Sequence, residues 1–159
     1  MKAKAIMFGL SLSAGLLASA VAGHADAATS QNVSTHGSAC KNYNAADALD
    51  IDYWSYGVRN LNAAARYVIC PIARHPVTGP GQNFYVDGSN RNGASTSCTV
   101  YAYNYNGDFL SSYSFTTSLA KYDQLAPLSS VSYWGFVSVV CSLPANGDGV
   151  LFGAFAVDS

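Results

Sequence analysis

Cys98-Thr99-Val100-Tyr101-Ala102-Tyr103-Asn104-Tyr105-Asn106-Gly107 is the stretch on which the fold turns. Cys98, Val100 and Ala102 fall on one side of an extended chain. Tyr101, Tyr103 and Tyr105 fall on the other. An alternation of period two marks a half-buried β-strand. Asn106-Gly107 follows, the strongest short-range signal for a hairpin, and Phe109 to Thr117 supplies the returning strand. The turn length decides which side chains face inward. A two-residue turn sets Tyr101 opposite Ser112 and Tyr103 opposite Leu110. Phe109, Tyr113 and Phe115 then share the Cys98 side. A three-residue turn that includes Asp108 reverses this. The two-residue turn separates polar from apolar side chains better, and it predicts a core-facing Cys98 and an outward tyrosine row.

Similar runs flank this hairpin. Leu49, Ile51 and Tyr53 alternate with Asp50, Asp52 and Trp54. Arg66-Tyr67-Val68-Ile69-Cys70-Pro71-Ile72 is rich in β-branched residues, and Pro71 must close that strand or lie at a sheet edge. Asn83 to Asp87 reads as a short strand, then Gly88 to Gly93 as a loop. Residues 118–130 read as a connection whose Leu119, Leu125 and Leu128 plug the core. Val131 to Leu143 is a long strand with a bend at Gly135 and Trp134 in the core, and Val150 to Val157 closes the domain. These runs predict an all-β fold of about seven or eight strands. No long amphipathic helix breaks the series, and one sheet cannot bury so many Phe, Leu, Val and Tyr side chains. The expected architecture is therefore a two-sheet antiparallel sandwich, jelly-roll-like, with a closed barrel as the alternative.

The first residues place the domain. Met1-Lys2-Ala3-Lys4 is basic, Ile6 to Ala22 is apolar, and small residues end the segment by Ala27. This is the pattern of a secretory signal peptide over residues 1–27. Residues 28–39 are small and polar and read as a flexible lead, leaving a single domain over 40–159. The expected location is secreted or periplasmic, with no stable membrane insertion after cleavage. All four cysteines lie beyond the leader. An even count in an exported chain implies two disulfides. Of the three pairings, Cys40–Cys70 and Cys98–Cys141 fit best. The first restrains the N-terminal segment and the second joins two apolar strands. The long cysteine spacings do not suit a zinc site.

Composition narrows the function. Charged residues make up 11% and the formal net charge is −1, which argues against a nucleic-acid surface. There is no Glu, whereas Tyr occurs eleven times. Tyr101, Tyr103 and Tyr105, at repeats of about 6.6–6.8 Å, are the best candidate binding feature: exposed rings so spaced can stack on sugars or on a protein partner. Asp50 and Asp52 share a strand face in this reading. Paired carboxylates serve glycoside hydrolysis or calcium binding, but two oxygen donors are few for calcium, and both residues also suit a solvated face. One of them is the expected partner of Arg66. His75 is the candidate base of a hydrolase, without the G-x-S-x-G elbow that would single out a serine. No catalytic residue, metal or cofactor is assigned.

Gly57-Val58-Arg59-Asn60, Tyr67-Val68-Ile69-Cys70-Pro71-Ile72, Ser97-Cys98-Thr99-Val100 and Val140-Cys141-Ser142-Leu143-Pro144 together resemble small exported bacterial β-sandwich proteins of unassigned function. The resemblance runs from about Cys40 to Val157. It implies a bacterial secreted β domain, supports the bridge pattern and carries over no active residue. Three functions compete. A non-enzymatic domain would bind a glycan, an envelope polymer or a surface protein. An extracellular hydrolase would use Asp50/Asp52 or His75. A structural subunit would join a surface assembly.

Overall fold

The computed structural model describes residues 31–74 and 83–158. The predicted signal peptide and His75 lie outside these residues. Eleven strands follow in order: β1 (Gln31–His36), β2 (Lys41–Asn42), β3 (Ile51–Trp54), β4 (Gly57–Asn60), β5 (Arg66–Ile72), β6 (Asn83–Asn90), β7 (Thr96–Tyr103), β8 (Phe109–Thr117), β9 (Tyr122–Pro127), β10 (Phe136–Leu143) and β11 (Gly149–Asp158). One antiparallel sheet runs β3-β4-β11-β6-β9, with β1 also on the β11 edge, and the other runs β2-β5-β10-β7-β8. From β4 to β7 the chain alternates between the sheets, β7 and β8 form a hairpin within one, and β8 to β11 alternate again, so that early and late strands interleave within each. This is a jelly-roll sandwich. The strands exceed the expected seven or eight because β1, β2, β4 and β9 join the expected ones.

Alternation builds the core. Val68 and Cys70 from β5, Cys98 and Val100 from β7, and Val139 and Cys141 from β10 face Val58, Phe84, Val86, Leu151 and Ala154 of the opposite sheet. Both disulfides form as expected, Cys40–Cys70 and Cys98–Cys141. Cys98 and Cys141 are direct partners in the β7–β10 register. Their bridge therefore lies on the inner face of one sheet and does not cross to the other.

Polar side chains lock the corners. Asn60 is fully buried at the end of β4. Its Nδ2 donates to the carbonyl oxygens of Ala64 (2.8 Å), Pro144 (3.1 Å) and Leu143 (3.4 Å), and its Oδ1 accepts from the Asn62 N–H (2.9 Å). One amide thus ties a strand of the six-stranded sheet to the corner that leaves β10. Asn90 is the counterpart on β6: its Oδ1 accepts from Thr96 Oγ1 (2.6 Å) and its Nδ2 donates to the Thr117 carbonyl (3.0 Å).

Several expectations change. Residues 31–36 of the expected flexible lead form β1, because β11 offers an open edge to pair with. Gly88 to Asn90 continue β6. A side chain at Gly88 would collide with the Tyr122 hydroxyl and the Val150 carbonyl, so the strand passes there only as glycine. Within 118–130 the chain forms β9, which buries Tyr122 and Ala126 and exposes Leu125; Leu128 just after it is buried, and Leu119 before it is exposed. The expected β10 start at Val131 is replaced by a turn in which the Gly135 N–H bonds the Ser132 carbonyl (3.2 Å). Trp134 stands on that turn, exposed, instead of in the core.

Candidate functional site

The outer face of the five-stranded sheet collects the side chains that alternation turns away from the core. Ser97 and Thr99 of β7 lie beside Thr116 and Ser114 of β8. Their hydroxyls pair across the strands at 2.8 Å in both cases. Ser142 of β10 pairs with Ser97 on one side and with Tyr67 of β5 on the other. Tyr101, next along β7, bounds this hydroxyl field, and Tyr67, 48% exposed, flanks it. The result is a shallow groove of about 460 Å³. Its floor offers hydroxyls able to donate and accept, and two phenol rings flank it. Such a surface matches a ligand that presents hydroxyls at its edges and C–H faces to a ring.

The other end of the same face is aromatic, and a bulge makes it so. The register runs as expected from Cys98↔Phe115 to Ala102↔Ser111, including Tyr101 opposite Ser112. It then shifts, and Tyr103 pairs with Phe109 instead of Leu110. The turn is not the two-residue Asn106-Gly107 type. It spans Asn104 to Asp108, organised by Asn104 Oδ1, which accepts from the N–H groups of Asn106 and Asp108 (both 2.9 Å). The extra residue sends Phe109 to the outer face, 58% exposed, contrary to its expected place in the core, while Tyr113 and Phe115 do pack against the core. Tyr101 and Tyr103 stack with centroids 6.4 Å apart, and Phe109 meets Tyr103 edge-on at 6.2 Å. Tyr105 leaves the strand and is exposed in the turn, so the expected row of three is a pair plus Phe109.

Beyond Tyr103, Phe136 and Trp134 stand 62% and 66% exposed. They wall a second concavity of about 540 Å³, with Ile69, Pro71 and Lys41 on its far side. Gly135 supports it, since any side chain there would collide with the Tyr103 carbonyl oxygen. Arg74 Nη1 donates to the Ser132 carbonyl (2.8 Å) and pins the same turn.

Asp50 and Asp52 are not brought together as a carboxylate pair. Asp50 lies in the turn before β3, where Arg66 Nε meets its Oδ2 at 2.7 Å and Asp47 at 3.2 Å. The expected Arg66 partnership thus falls to Asp50. The Arg66 hydrogen bond, with help from Asn62, holds the Asp50 carboxyl below its ordinary value. That is the wrong direction for a general acid in glycoside cleavage, which needs a raised value. Asp52, on β3, binds Arg59 Nη2 and Nε, both at 2.9 Å, and accepts from Trp54 Nε1. The Arg59 guanidinium also lies 3.4 Å from the Trp54 ring centroid. Each carboxylate is committed to its own arginine. Among the described residues no group of three or more His, Cys, Asp and Glu is placed to hold a metal.

A third feature had no signal in the sequence. On the outer face of the six-stranded sheet, Asp87 of β6 pairs directly with Asp123 of β9. Asp87 Oδ1 is buried without a hydrogen-bond partner among the described residues. Desolvation first, then the hydrogen bond and charge of Asp123, push the Asp87 carboxyl up to about 6. Burial likewise pushes neighbouring Tyr122 up to about 12. The pair is invisible until β9 is recognised as a strand.

No protein-family model and no curated protein sequence matches the chain. Among solved structures, the fold is similar to TmCBM61, a carbohydrate-binding module determined in complex with β-1,4-galactotriose. The similarity covers 80% of this chain and 86% of that one, with a TM-score of 0.42 and 12% sequence identity.

Proposed function

We propose that this is a non-enzymatic, exported glycan-binding domain, and that the hydroxyl groove between Tyr67 and Tyr101 is its binding site. The observation that carries this reading is the groove's chemistry. Paired Ser and Thr hydroxyls lie on a rigid sheet floor, flanked by phenol rings. Sugars need both elements: hydroxyls for their edges and an aromatic face for their C–H surface. The groove is open along the sheet, which suits a segment of a longer polymer. Two disulfides accord with an oxidising, extracytoplasmic setting, and among the described residues no helix is long and apolar enough to cross a membrane. Asp50 and Asp52 are each held by an arginine, which speaks against the pair as the carboxylates of a hydrolase.

Affinity electrophoresis against a panel of soluble cell-wall and envelope polysaccharides, followed by calorimetry on any hit, tests the proposal. Stacking on one ring contributes about 1 kcal/mol or somewhat more. Tyr101→Ala and Tyr67→Ala should each weaken binding roughly five- to tenfold, with thermal stability unchanged. Retention of no polysaccharide, or full retention by both variants, would overturn it.

A further inference from the structure

We propose that the concavity walled by Trp134 and Phe136 is a separate site for an apolar carboxylate, an alkyl chain ending in one anionic head. Its volume, about 540 Å³, is in the range of small-molecule sites, roughly 300–1,000 Å³. Ile69, Pro71, Ile72 and Val137 join the two aromatic rings in its lining, so the body of the ligand must be apolar. Phe136 is the first outward position of β10, and Trp134 stands on the turn before it, held in place by Gly135 and Arg74. Rings fixed in an open concavity leave apolar surface that a ligand can cover.

The charge of the site selects the head group. Lys41 of β2 lines the concavity at its mouth, Arg74 after β5 is engaged in holding the Ser132 turn, and no carboxylate lines it among the described residues. Lys41 can lay its methylene stem along the apolar wall and hold its ammonium at the mouth. A ligand carboxylate meets positive charge there, and a quaternary ammonium head is repelled. A sugar acid fits poorly. Ser138 supplies the one hydroxyl among the lining side chains other than that of Tyr133, so most of the sugar's hydroxyls would be buried without partners. The hydroxyl groove shows the opposite composition, which is why the two sites take different ligands.

Titration of the folded protein with octanoate, octanol, octyltrimethylammonium and glucuronate tests this, read by tryptophan fluorescence and calorimetry below micellar concentrations. Trp54 lies under Arg59 on the other sheet and serves as a constant background. Octanoate should bind about fivefold tighter than octanol, the scale of one solvent-exposed charge contact. The ammonium amphiphile should bind weaker still, and glucuronate not at all. Affinity should rise roughly fourfold per methylene from hexanoate to octanoate. Trp134→Ala, at an exposed position, should keep the melting temperature and lose octanoate binding. Lys41→Gln should bring octanoate down to the level of octanol. Tyr101→Ala should leave octanoate binding intact, which separates this site from the glycan groove. Equal binding of all three amphiphiles, tighter binding of glucuronate, or unchanged binding by both Trp134→Ala and Lys41→Gln would overturn the proposal.

Discussion

Replacing Asp87 by Asn should stabilise the protein at neutral pH and leave it unchanged in mild acid. Asp87 faces Asp123 across the β6–β9 ladder, and its Oδ1 is buried without a partner among the described residues. The folded carboxyl titrates near 6 instead of 3.8, mainly through desolvation and secondarily through Asp123. A carboxyl raised in the folded state binds its proton more tightly there than in the unfolded chain. Stability is therefore highest in mild acid, falls as pH rises from about 4 to about 6, and stays lower above that. The full linkage value is roughly 3 kcal/mol, but Asp87 is only partly buried, and solvent screening reduces this to about 1–2 kcal/mol. Asn keeps the shape and removes the charge. By differential scanning calorimetry the variant should melt roughly 4–8 °C higher at pH 7.5 and within error of the parent near pH 4. Equal stability at both pH values, or destabilisation at both, would refute the assignment of the charge cost to this pair.

Three further outcomes are expected. Asn60→Ala should cost about 3 kcal/mol in denaturant unfolding, because it leaves the buried Leu143 carbonyl and the Ala64 and Pro144 carbonyls without their donor; a loss under 1 kcal/mol would mean that the amide does not hold the corner. Removing the Cys98–Cys141 bridge by the double change to Ser should cost about 4 kcal/mol, given the 43-residue separation, and non-reducing intact mass should rise by the two hydrogens of the lost bridge beyond the substitutions themselves. Arg66→Gln should move the Asp50 carboxyl upward toward its ordinary value in an NMR titration, since the Arg66 hydrogen bond is the largest cause of its lowering; an unmoved titration would assign the effect to Asn62.

Where period two persisted, the sequence was sufficient. Cys98 and Val100 each sit between polar or aromatic neighbours, and Val139 and Cys141 lie two apart on one side of β10, so the common face that carries one disulfide follows from alternation. β9 was missed because its buried positions, Tyr122 and Ala126, include a small side chain, while the larger Leu125 points outward. Apolar size misleads when the space beneath a strand is shallow. β4 was missed because a buried amide, Asn60, occupies a core position. Trp134 was misplaced for a different reason: hydropathy cannot tell a ring held on a turn from one held in a strand. Phe109 depended on a single inserted residue, which Asn104 creates by drawing two backbone N–H groups onto its side chain. Turn chemistry at one position thereby decided on which face of the sheet a ring appears.

The candidate site itself was written in the strands as a gradient. Outward residues of β7 read Ser97, Thr99, Tyr101, Tyr103, from hydroxyl to aromatic. Those of β10 read the other way, Phe136, Ser138, Val140, Ser142, and so do those of β8, Phe109, Ser112, Ser114, Thr116. Antiparallel pairing superimposes these opposed gradients, placing Ser97 beside Ser142 and Thr116, and Tyr103 beside Phe136 and Phe109. Hydroxyls therefore collect at one end of the face and rings at the other. A uniform one-residue slip in either pairing would turn these residues into the core, so the apolar inner face fixes the register and the register sorts the outer one. The bulge is the one departure, and it acts at the aromatic end only: without it Leu110 would stand beside Tyr103, and Phe109 would face inward. Two binding chemistries on one sheet thus follow from strand direction, core register and a single extra residue.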